Sequence, residues 1–188
     1  MSKGWKNSVL QMRDNFGGRV SRLRLKVVKV LSPVTYQKAL WFDRLARPMI
    51  WFVKEYFPVD RELYGVEVGV SKGKNALSML SILNVRLLVL VDPYLPYVQQ
   101  GTMQNLGKDE VIAKRDLNKY EQEGKIVFVK KSSTEAVKEL PISEFDFVYI
   151  DACHDYEDVM QDIKCFYPLV VRKGVIGGHD YGSYRGVR

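Results

Sequence analysis

Five short apolar runs follow one another along the chain from residue 64 onwards, and longer amphipathic stretches separate them. Val, Ile and Leu dominate the runs, which lie at 64–69, 87–92, 126–130, 145–151 and 174–180. Continuous apolar runs of this length are typical of strands that are buried on both faces of a parallel sheet. The sequence therefore predicts five strands of one sheet.

The stretches between the runs carry apolar residues at helical spacing. The clearest of them cover residues 72–83, 109–123 and 155–167. Alternation of strands and helices is typical of α/β folds in which helices cover both faces of a parallel sheet. We therefore predict a doubly wound α/β domain over residues 61–188.

The first 60 residues have a different pattern. Pro33, Pro48 and Pro58 interrupt segments rich in Trp, Phe and Arg, and 48–57 carries an apolar helical stripe. This pattern predicts a helical extension over 1–60 rather than further strands of the sheet.

The positive charge of the chain is concentrated in that extension. Residues 1–60 hold twelve Lys and Arg against four Asp and Glu, whereas the remainder holds seventeen against eighteen, and the whole chain carries +7. The basic stretch 19–31 is interpreted first as a solvated helix face. Peripheral contact with an anionic membrane, or with nucleic acid, stays an open alternative.

Cysteine spacing and the length of the apolar runs restrict the class of protein and its expected location. Cys153 and Cys165 fit neither a zinc motif nor a disulfide framework. No uncharged apolar run reaches 18 residues, and the N-terminus lacks the pattern of a secretory signal. We expect a cytoplasmic protein.

Polar side chains end the predicted strands. Because the carboxyl ends of parallel strands face one edge, and ligands bind where the strand order reverses, we expect these side chains to form one site. They are Glu67, Asp92, Asp151, His154, His179 and Asp180, and Gly69 lies beside Glu67 at the end of the first strand. Both histidines of the chain fall in this set.

The turn after the first strand reads E-x-G-x-x-x-G. Three residues separate Gly69 from Gly73, so the phosphate loop of nucleotide hydrolases is excluded, and Ser71 breaks the dinucleotide fingerprint. A nucleoside without phosphates fits, because Asp92 follows Gly69 at the distance used for ribose hydroxyls. The alternative is that both glycines only satisfy the geometry of the turn.

These motifs resemble the class I S-adenosylmethionine-dependent methyltransferases over residues 64–182. The resemblance rests on "VEVGVSKG", "LVDPY", "VKKSSTEAV" and the long segment that begins "FDFVYIDACHDYEDV". The last segment is similar to a subgroup of metal-dependent O-methyltransferases that act on sugars and small molecules. It implies a Rossmann-like sheet of strand order 3-2-1-4-5.

The family's sheet normally continues past the fifth strand into a β-hairpin, and this chain stops at Arg188. We expect either that residues are missing or that a second subunit covers the fifth strand in a homo-oligomer.

The resemblance also assigns residues to the cofactor, S-adenosylmethionine. It implies that Glu67, Gly69 and Gly73 hold the methionine end and that Asp92 holds the ribose. Tyr94, Ser132 and Ser133 would lie at the adenine edge, and Ser71 and Asp151 are further cofactor-binding residues. For the two serines, the alternative is that they only cap the helix beginning near Thr134.

Related metal-dependent enzymes suggest a divalent cation, and the matching positions are Asp151, His179 and Asp180. Mg²⁺ prefers oxygen ligands and Mn²⁺ accepts imidazole, so a histidine at 179 leaves the choice between them open. His154 follows Asp151 by three residues and is the predicted catalytic base, with Asp151 as a second catalytic group. The alternative for each histidine is a helix cap or a turn contact.

The expected reaction is methyl transfer to a hydroxyl of a sugar or similar polyol, as a free small molecule or within a glycan. A catechol or phenol acceptor, and a non-catalytic binding module built on the basic N-terminus, stay as alternatives. Nucleic-acid methylation is disfavoured, because the fourth strand ends in "DACH" rather than in a base-stacking Asn-Pro-Pro-Tyr-like segment. The loop 93–107 is a candidate lid, with Tyr97 and Gln100 as candidate acceptor contacts.

Overall fold

The computed structural model describes residues 47–99, 101–104 and 107–180. The predictions for the basic stretch 19–31 and for Gln100 fall outside the described residues. No helix among the described residues is both long enough and apolar enough to cross a lipid bilayer.

Helices and strands alternate along the described chain. The helices are α1 (Pro48–Tyr56), α2 (Lys74–Ile82), α3 (Asp109–Gln122), α4 (Ser133–Ala136) and α5 (Tyr156–Phe166), with a 3-10 turn at Tyr167–Leu169. The strands are β1 (Leu63–Val68), β2 (Val85–Val91), β3 (Tyr97–Gln99), β4 (Thr102–Gln104), β5 (Ile126–Val129), β6 (Phe145–Ile150) and β7 (Val170–Gly178).

Five of these strands form one sheet in the order β5-β2-β1-β6-β7, and every neighbouring pair is parallel. If only the five strands of this sheet are numbered along the chain, their order is 3-2-1-4-5, as predicted. The predicted doubly wound α/β fold is therefore confirmed. The strand order reverses between β1 and β6, which is the position where open α/β sheets bind ligands.

The sheet is buried on both faces, as its apolar runs predict. Side chains alternate across β1, so that Leu63 belongs to one core layer and Val66 and Val68 to the other. The first layer includes apolar residues of α1, α2 and α3, and the second includes apolar residues of α4 and α5. These layers fix the strand ends, and thereby the positions of the polar residues that follow them.

Helix α1 belongs to the core of the described part. Pro48 stands at its first position, where the missing N–H costs no hydrogen bond. Ile50 and Val53 are each 1% exposed and join the layer formed with α2. The predicted division into an extension over 1–60 and a domain over 61–188 stays a prediction, and residues 1–46 lie outside the described residues.

The segment between β2 and α3 was predicted as a loop and contains a short antiparallel hairpin. Its strands β3 and β4 pair through Tyr97 with Gln104, Val98 with Met103, and Gln99 with Thr102. Three-residue strands are too short to show a periodic pattern in the sequence, which is why the hairpin was not predicted.

Candidate active site

Asp92, which directly follows β2, is hydrogen-bonded to the glycine-rich loop after β1. Its Oδ2 atom accepts hydrogen bonds of 2.9 Å from the backbone N–H groups of Val70 and Ser71, and its Oδ1 atom accepts one of 2.7 Å from the N–H of Tyr94. A carboxylate offers about four acceptor positions, so about one remains, on Oδ1. The predicted contact of Asp92 with a ribose hydroxyl would use that position.

The two glycines of the loop are required by packing within the chain. Gly69 has φ +87°, and an added Cβ would lie 2.2 Å from the carbonyl oxygen of Asp151. Gly73 has φ +71°, and an added Cβ would lie 2.7 Å from Leu117 of α3. Positive φ together with close contact, to the Asp151 backbone at Gly69 and to the Leu117 side chain at Gly73, therefore explains both residues, and their contact with a ligand stays a prediction.

Ser71, Tyr94 and Asp180 share an unusual backbone conformation, with φ of 47°, 52° and 61°. Residues other than glycine rarely adopt such φ values. Strained backbone positions of this kind concentrate at functional sites. Ser71 is held by a 2.6 Å hydrogen bond from its hydroxyl to Asp109 Oδ2 at the start of α3. Three of the predicted site residues thus stand in strained turns at the carboxyl ends of the strands.

A buried polar group lies beneath the glycine-rich loop and consists of Glu67, Asn75, Tyr94 and Tyr149. Glu67 and Tyr149 are register partners on β1 and β6, and Glu67 Oε1 accepts a 2.8 Å hydrogen bond from Asn75 Nδ2. Among the described residues, these buried atoms find no hydrogen-bond partner: Glu67 Oε2, Asn75 Oδ1, Tyr94 Oη and Tyr149 Oη. Unsatisfied buried polar atoms are uncommon, and here four belong to one group.

Burial also determines how this group ionises. It raises the pKa of Glu67 from 4.5 to about 8, although the hydrogen bond from Asn75 opposes the change. Burial raises the pKa of Tyr94 and Tyr149 as well, with smaller contributions from nearby carboxylates that include Glu67. The group therefore presents hydroxyl donors and an acceptor whose charge a bound cation would stabilise.

Asp151, His154, His179 and Asp180 form an imidazole–carboxylate cluster at the ends of β6 and β7. His154 Nε2 lies 3.1 Å from Asp180 Oδ2 and 3.5 Å from Asp151 Oδ1, while His179 Nδ1 lies 2.9 Å from Asp180 Oδ1 and 3.8 Å from Asp151 Oδ1. The four side chains are largely buried, with exposed fractions between 14% and 29%. The structure therefore unites the predicted base and all three predicted metal ligands.

The two imidazoles of the cluster direct different nitrogens at the carboxylates, Nε2 in His154 and Nδ1 in His179. His179 Nε2 contacts the guanidinium of Arg47, which has only hydrogen-bond donors, so this nitrogen must accept. The other nitrogen, Nδ1, then carries the hydrogen and donates to Asp180. His154 Nδ1 lies 3.0 Å from Gln99 Oε1, and its Nε2 faces both carboxylates of the cluster.

One ligand atom from each of Asp151, His154 and Asp180 lies within 4.8 Å of the other two, which suits a metal ion. The predicted ligand set contained His179 in place of His154. The lone pair of His179 Nε2 is used by Arg47, whereas Nε2 of His154 is directed at the carboxylates. The geometry thus favours His154, and both ligand sets stay predictions.

Ser132 and Ser133 have partners of their own. The backbone N–H and the hydroxyl of Ser132 both donate to Glu135 Oε2, which closes a capping arrangement at the start of α4. The Ser133 hydroxyl donates to Asp162 on α5. The Ser132 bonds fit the alternative of helix capping, whereas the Ser133 bond joins α4 to α5, and a contact of either serine with adenine stays a prediction.

The family of the chain follows from its sequence profile. A family described as "Methyltransferase domain" matches residues 66–181, which span the glycine-rich loop, Asp92 and the imidazole–carboxylate cluster. The chain belongs to this methyltransferase family. The prediction of a methyltransferase is thereby confirmed, and S-adenosylmethionine is the methyl donor that membership implies. No curated protein matches the chain significantly.

Solved structures share the fold of this methyltransferase at low identity. A Staphylococcus aureus protein provisionally assigned as a caffeoyl-CoA O-methyltransferase is 13% identical, with a TM-score of 0.52, over 92% of this chain and 71% of that one. The cofactor-bound protein Rv0187 from MTB is 18% identical, with a TM-score of 0.52, over 83% of this chain and 70% of that one. At these identities the similarity concerns the fold alone.

Four residues of the methyltransferase site were not predicted from the sequence, and one of them is Tyr149 of β6, which belongs to the buried polar group. Arg47 reaches the cluster from the start of α1 and lies 3.8 Å from Asp151 Oδ2. Gln99 reaches it from the unpredicted hairpin, and Asn75 lies in α2. Only Asn75 had a local signal, since it follows the second glycine of the loop by two residues at the start of a predicted helix.

Proposed function

We propose that this methyltransferase transfers a methyl group from S-adenosylmethionine to a hydroxyl of a sugar or similar polyol, with the help of a divalent cation. The observation that carries the proposal is the imidazole–carboxylate cluster, which adjoins the glycine-rich loop at the reversal of strand order. Backbone contact between Gly69 and Asp151 joins the two parts of the site. Donor and acceptor sites in contact are what an in-line displacement requires.

The buried polar group supports a cofactor with an ammonium and a carboxylate. Glu67 Oε2 and Asn75 Oδ1 are acceptors without partners in the described chain, and they suit the ammonium of the methionine end. Tyr94 and Tyr149 offer donors, which suit its carboxylate. Filling these positions would remove the penalty of unsatisfied buried polar atoms, so cofactor binding would stabilise the fold.

The cluster supports a divalent cation next to the acceptor. We infer that Asp151 and Asp180 hold it through oxygen and His154 through Nε2, a donor set that suits Mn²⁺ better than Mg²⁺. A bound cation lowers the pKa of a coordinated hydroxyl and fixes its orientation. Arg47 adds positive charge beside Asp151 and would favour the deprotonated acceptor.

The alternative use of His154 is as the proton acceptor itself. Its Nε2 is 3.1 Å from Asp180 and 3.5 Å from Asp151, and these carboxylates would stabilise the imidazolium that forms. A ring whose Nε2 binds a cation cannot also accept a proton there. The two roles are therefore mutually exclusive, and the response to a chelator separates them.

The test is an acceptor screen with methyl-labelled S-adenosylmethionine, run with and without a chelator. We expect labelled sugar or polyol products, loss of turnover on chelation, and recovery with Mn²⁺. If turnover is unchanged by the chelator, His154 would act as the catalytic base without a metal ion. Labelling of diphenols but not of sugars would show that the acceptor is a diphenol rather than a sugar or polyol.

Variants measured in the same assay test the roles proposed for individual residues. Asp151→Asn and His154→Gln should each lower turnover at least 100-fold, the size typical of a lost acid–base group. Asp155→Asn is the matched control, because Asn keeps the helix-capping preference at the N-terminus of α5 while removing a carboxylate nearby. Equal losses in all three variants would indicate general damage to the turn and would count against the assignment.

A further inference from the structure

Gln99 is the residue through which the β3–β4 hairpin contacts the imidazole–carboxylate cluster. It is 8% exposed, whereas its neighbour Val98 is 53% exposed, so the hairpin directs Gln99 inwards. The Oε1 atom of Gln99 lies 3.0 Å from His154 Nδ1 and accepts a 3.4 Å hydrogen bond from the Tyr97 hydroxyl. Two groups thus converge on one amide oxygen.

This contact determines where the hydrogen of the His154 ring resides. An amide oxygen only accepts hydrogen bonds, so His154 Nδ1 must carry a hydrogen and donate it. In the neutral ring, Nε2 then has the lone pair, and it faces Asp180 Oδ2 and Asp151 Oδ1 at 3.1 and 3.5 Å. Three electron-rich atoms directed at one another are stable only with a cation or a proton between them.

We propose that Gln99 is a positioning residue, which holds His154 in the Nδ1–H form and so makes Nε2 available to a cation or a proton. Histidines that bind metal ions commonly donate their other ring N–H to a fixed acceptor, which orients the ring and fixes the tautomer. Gln99 supplies that acceptor from the β3–β4 hairpin, 55 residues before His154 in the sequence. The use made of Nε2 rests on the proposed function, whereas the tautomer does not.

The tautomer can be read directly by NMR on the full chain with ¹⁵N-labelled histidine. Only two imidazoles contribute, and His179→Gln identifies the signals of His154. We expect Nδ1 of His154 to carry a hydrogen in the wild type, whether or not Nε2 is also protonated beside its carboxylate neighbours, and to lose that preference in Gln99→Leu. Gln99→Glu keeps an acceptor and should restore the Nδ1–H form. Val98→Thr, on the outer face of the hairpin, is the matched control and should match the wild type.

A wild-type His154 ring that carries its hydrogen on Nε2 alone, or an unchanged protonation of Nδ1 in Gln99→Leu, would overturn the proposal. If Gln99→Leu fails to fold, the spectra of the wild type and of Gln99→Glu still test the proposal. Mn²⁺ titration then separates this inference from the proposed function: Gln99→Leu should weaken Mn²⁺ binding by about 10- to 100-fold. Absence of Mn²⁺ binding by the wild type would remove the metal from the proposed function and leave the tautomer result standing.

Discussion

Replacing Glu67 with Gln tests the electrostatics of the buried polar group. The change keeps the shape of the side chain and removes a carboxyl whose pKa burial raises from 4.5 to about 8. Because the folded chain binds this proton more tightly than the unfolded chain, the protonated carboxyl's contribution to stability is fully present below about pH 4.5. It is lost as the pH rises towards 8.

The size of the effect follows from that pKa difference. Each unit of pKa difference corresponds to roughly 1.4 kcal/mol, so ionisation of Glu67 lowers the free energy of unfolding by about 3 kcal/mol between pH 5 and pH 8. The amide introduced by Glu67→Gln does not ionise, and the variant should therefore gain stability relative to the wild type across this interval. The difference between the two proteins cancels the titration of groups that they share.

The assay is urea unfolding of the full chain at pH 5, 6.5 and 8, without S-adenosylmethionine. Glu62→Gln is the control, because Glu62 is an exposed carboxylate in the same segment. We expect the wild type and this control to keep a constant difference. A difference between the wild type and Glu67→Gln that stays within about 0.5 kcal/mol from pH 5 to pH 8 would refute the reasoning.

Three further predictions concern neighbouring positions. Gly69→Ala should destabilise the chain by more than about 2 kcal/mol in urea unfolding, well beyond Gly124→Ala, because both have positive φ but only the Cβ at 69 meets backbone, at 2.2 Å. Arg47→Gln should strengthen Mn²⁺ binding about tenfold in calorimetry, since it removes a positive charge 3.8 Å from Asp151; weaker binding would contradict this. Ser132→Ala should cost about 1 kcal/mol of thermal stability if the hydroxyl serves as a helix cap, and an unchanged melting temperature would argue against that role.

The sheet and its order could be predicted because burial on both faces imposes a continuous apolar pattern. Strand β6 shows this, since all six of its residues are buried. Parallel strands then place Glu67, Asp92 and Asp151 at one edge, whatever the details of their side chains. The polar strand ends were thus foreseen from position alone.

The hydrogen-bond partners at those ends could not be foreseen in the same way. Asp92 was expected to face a ligand, and three backbone N–H groups occupy most of its acceptor positions. The glycines were expected to admit a ligand, and the Asp151 backbone and Leu117 fill the space beside them. Such contacts depend on the approach of segments far apart in sequence, which leaves no periodic signal.

The two histidines illustrate the limit most clearly. The resemblance to metal-dependent enzymes suggested His179 as a metal ligand beside Asp151 and Asp180, at a position where those enzymes commonly have an acid. The direction of each ring, however, is decided by a distant partner: Arg47 takes the lone pair of His179, and Gln99 turns that of His154 towards the carboxylates. These partners lie 132 and 55 residues away in sequence. A strand-end motif therefore identifies which residues reach the site, while the long-range hydrogen bonds determine which ring nitrogen faces the carboxylates.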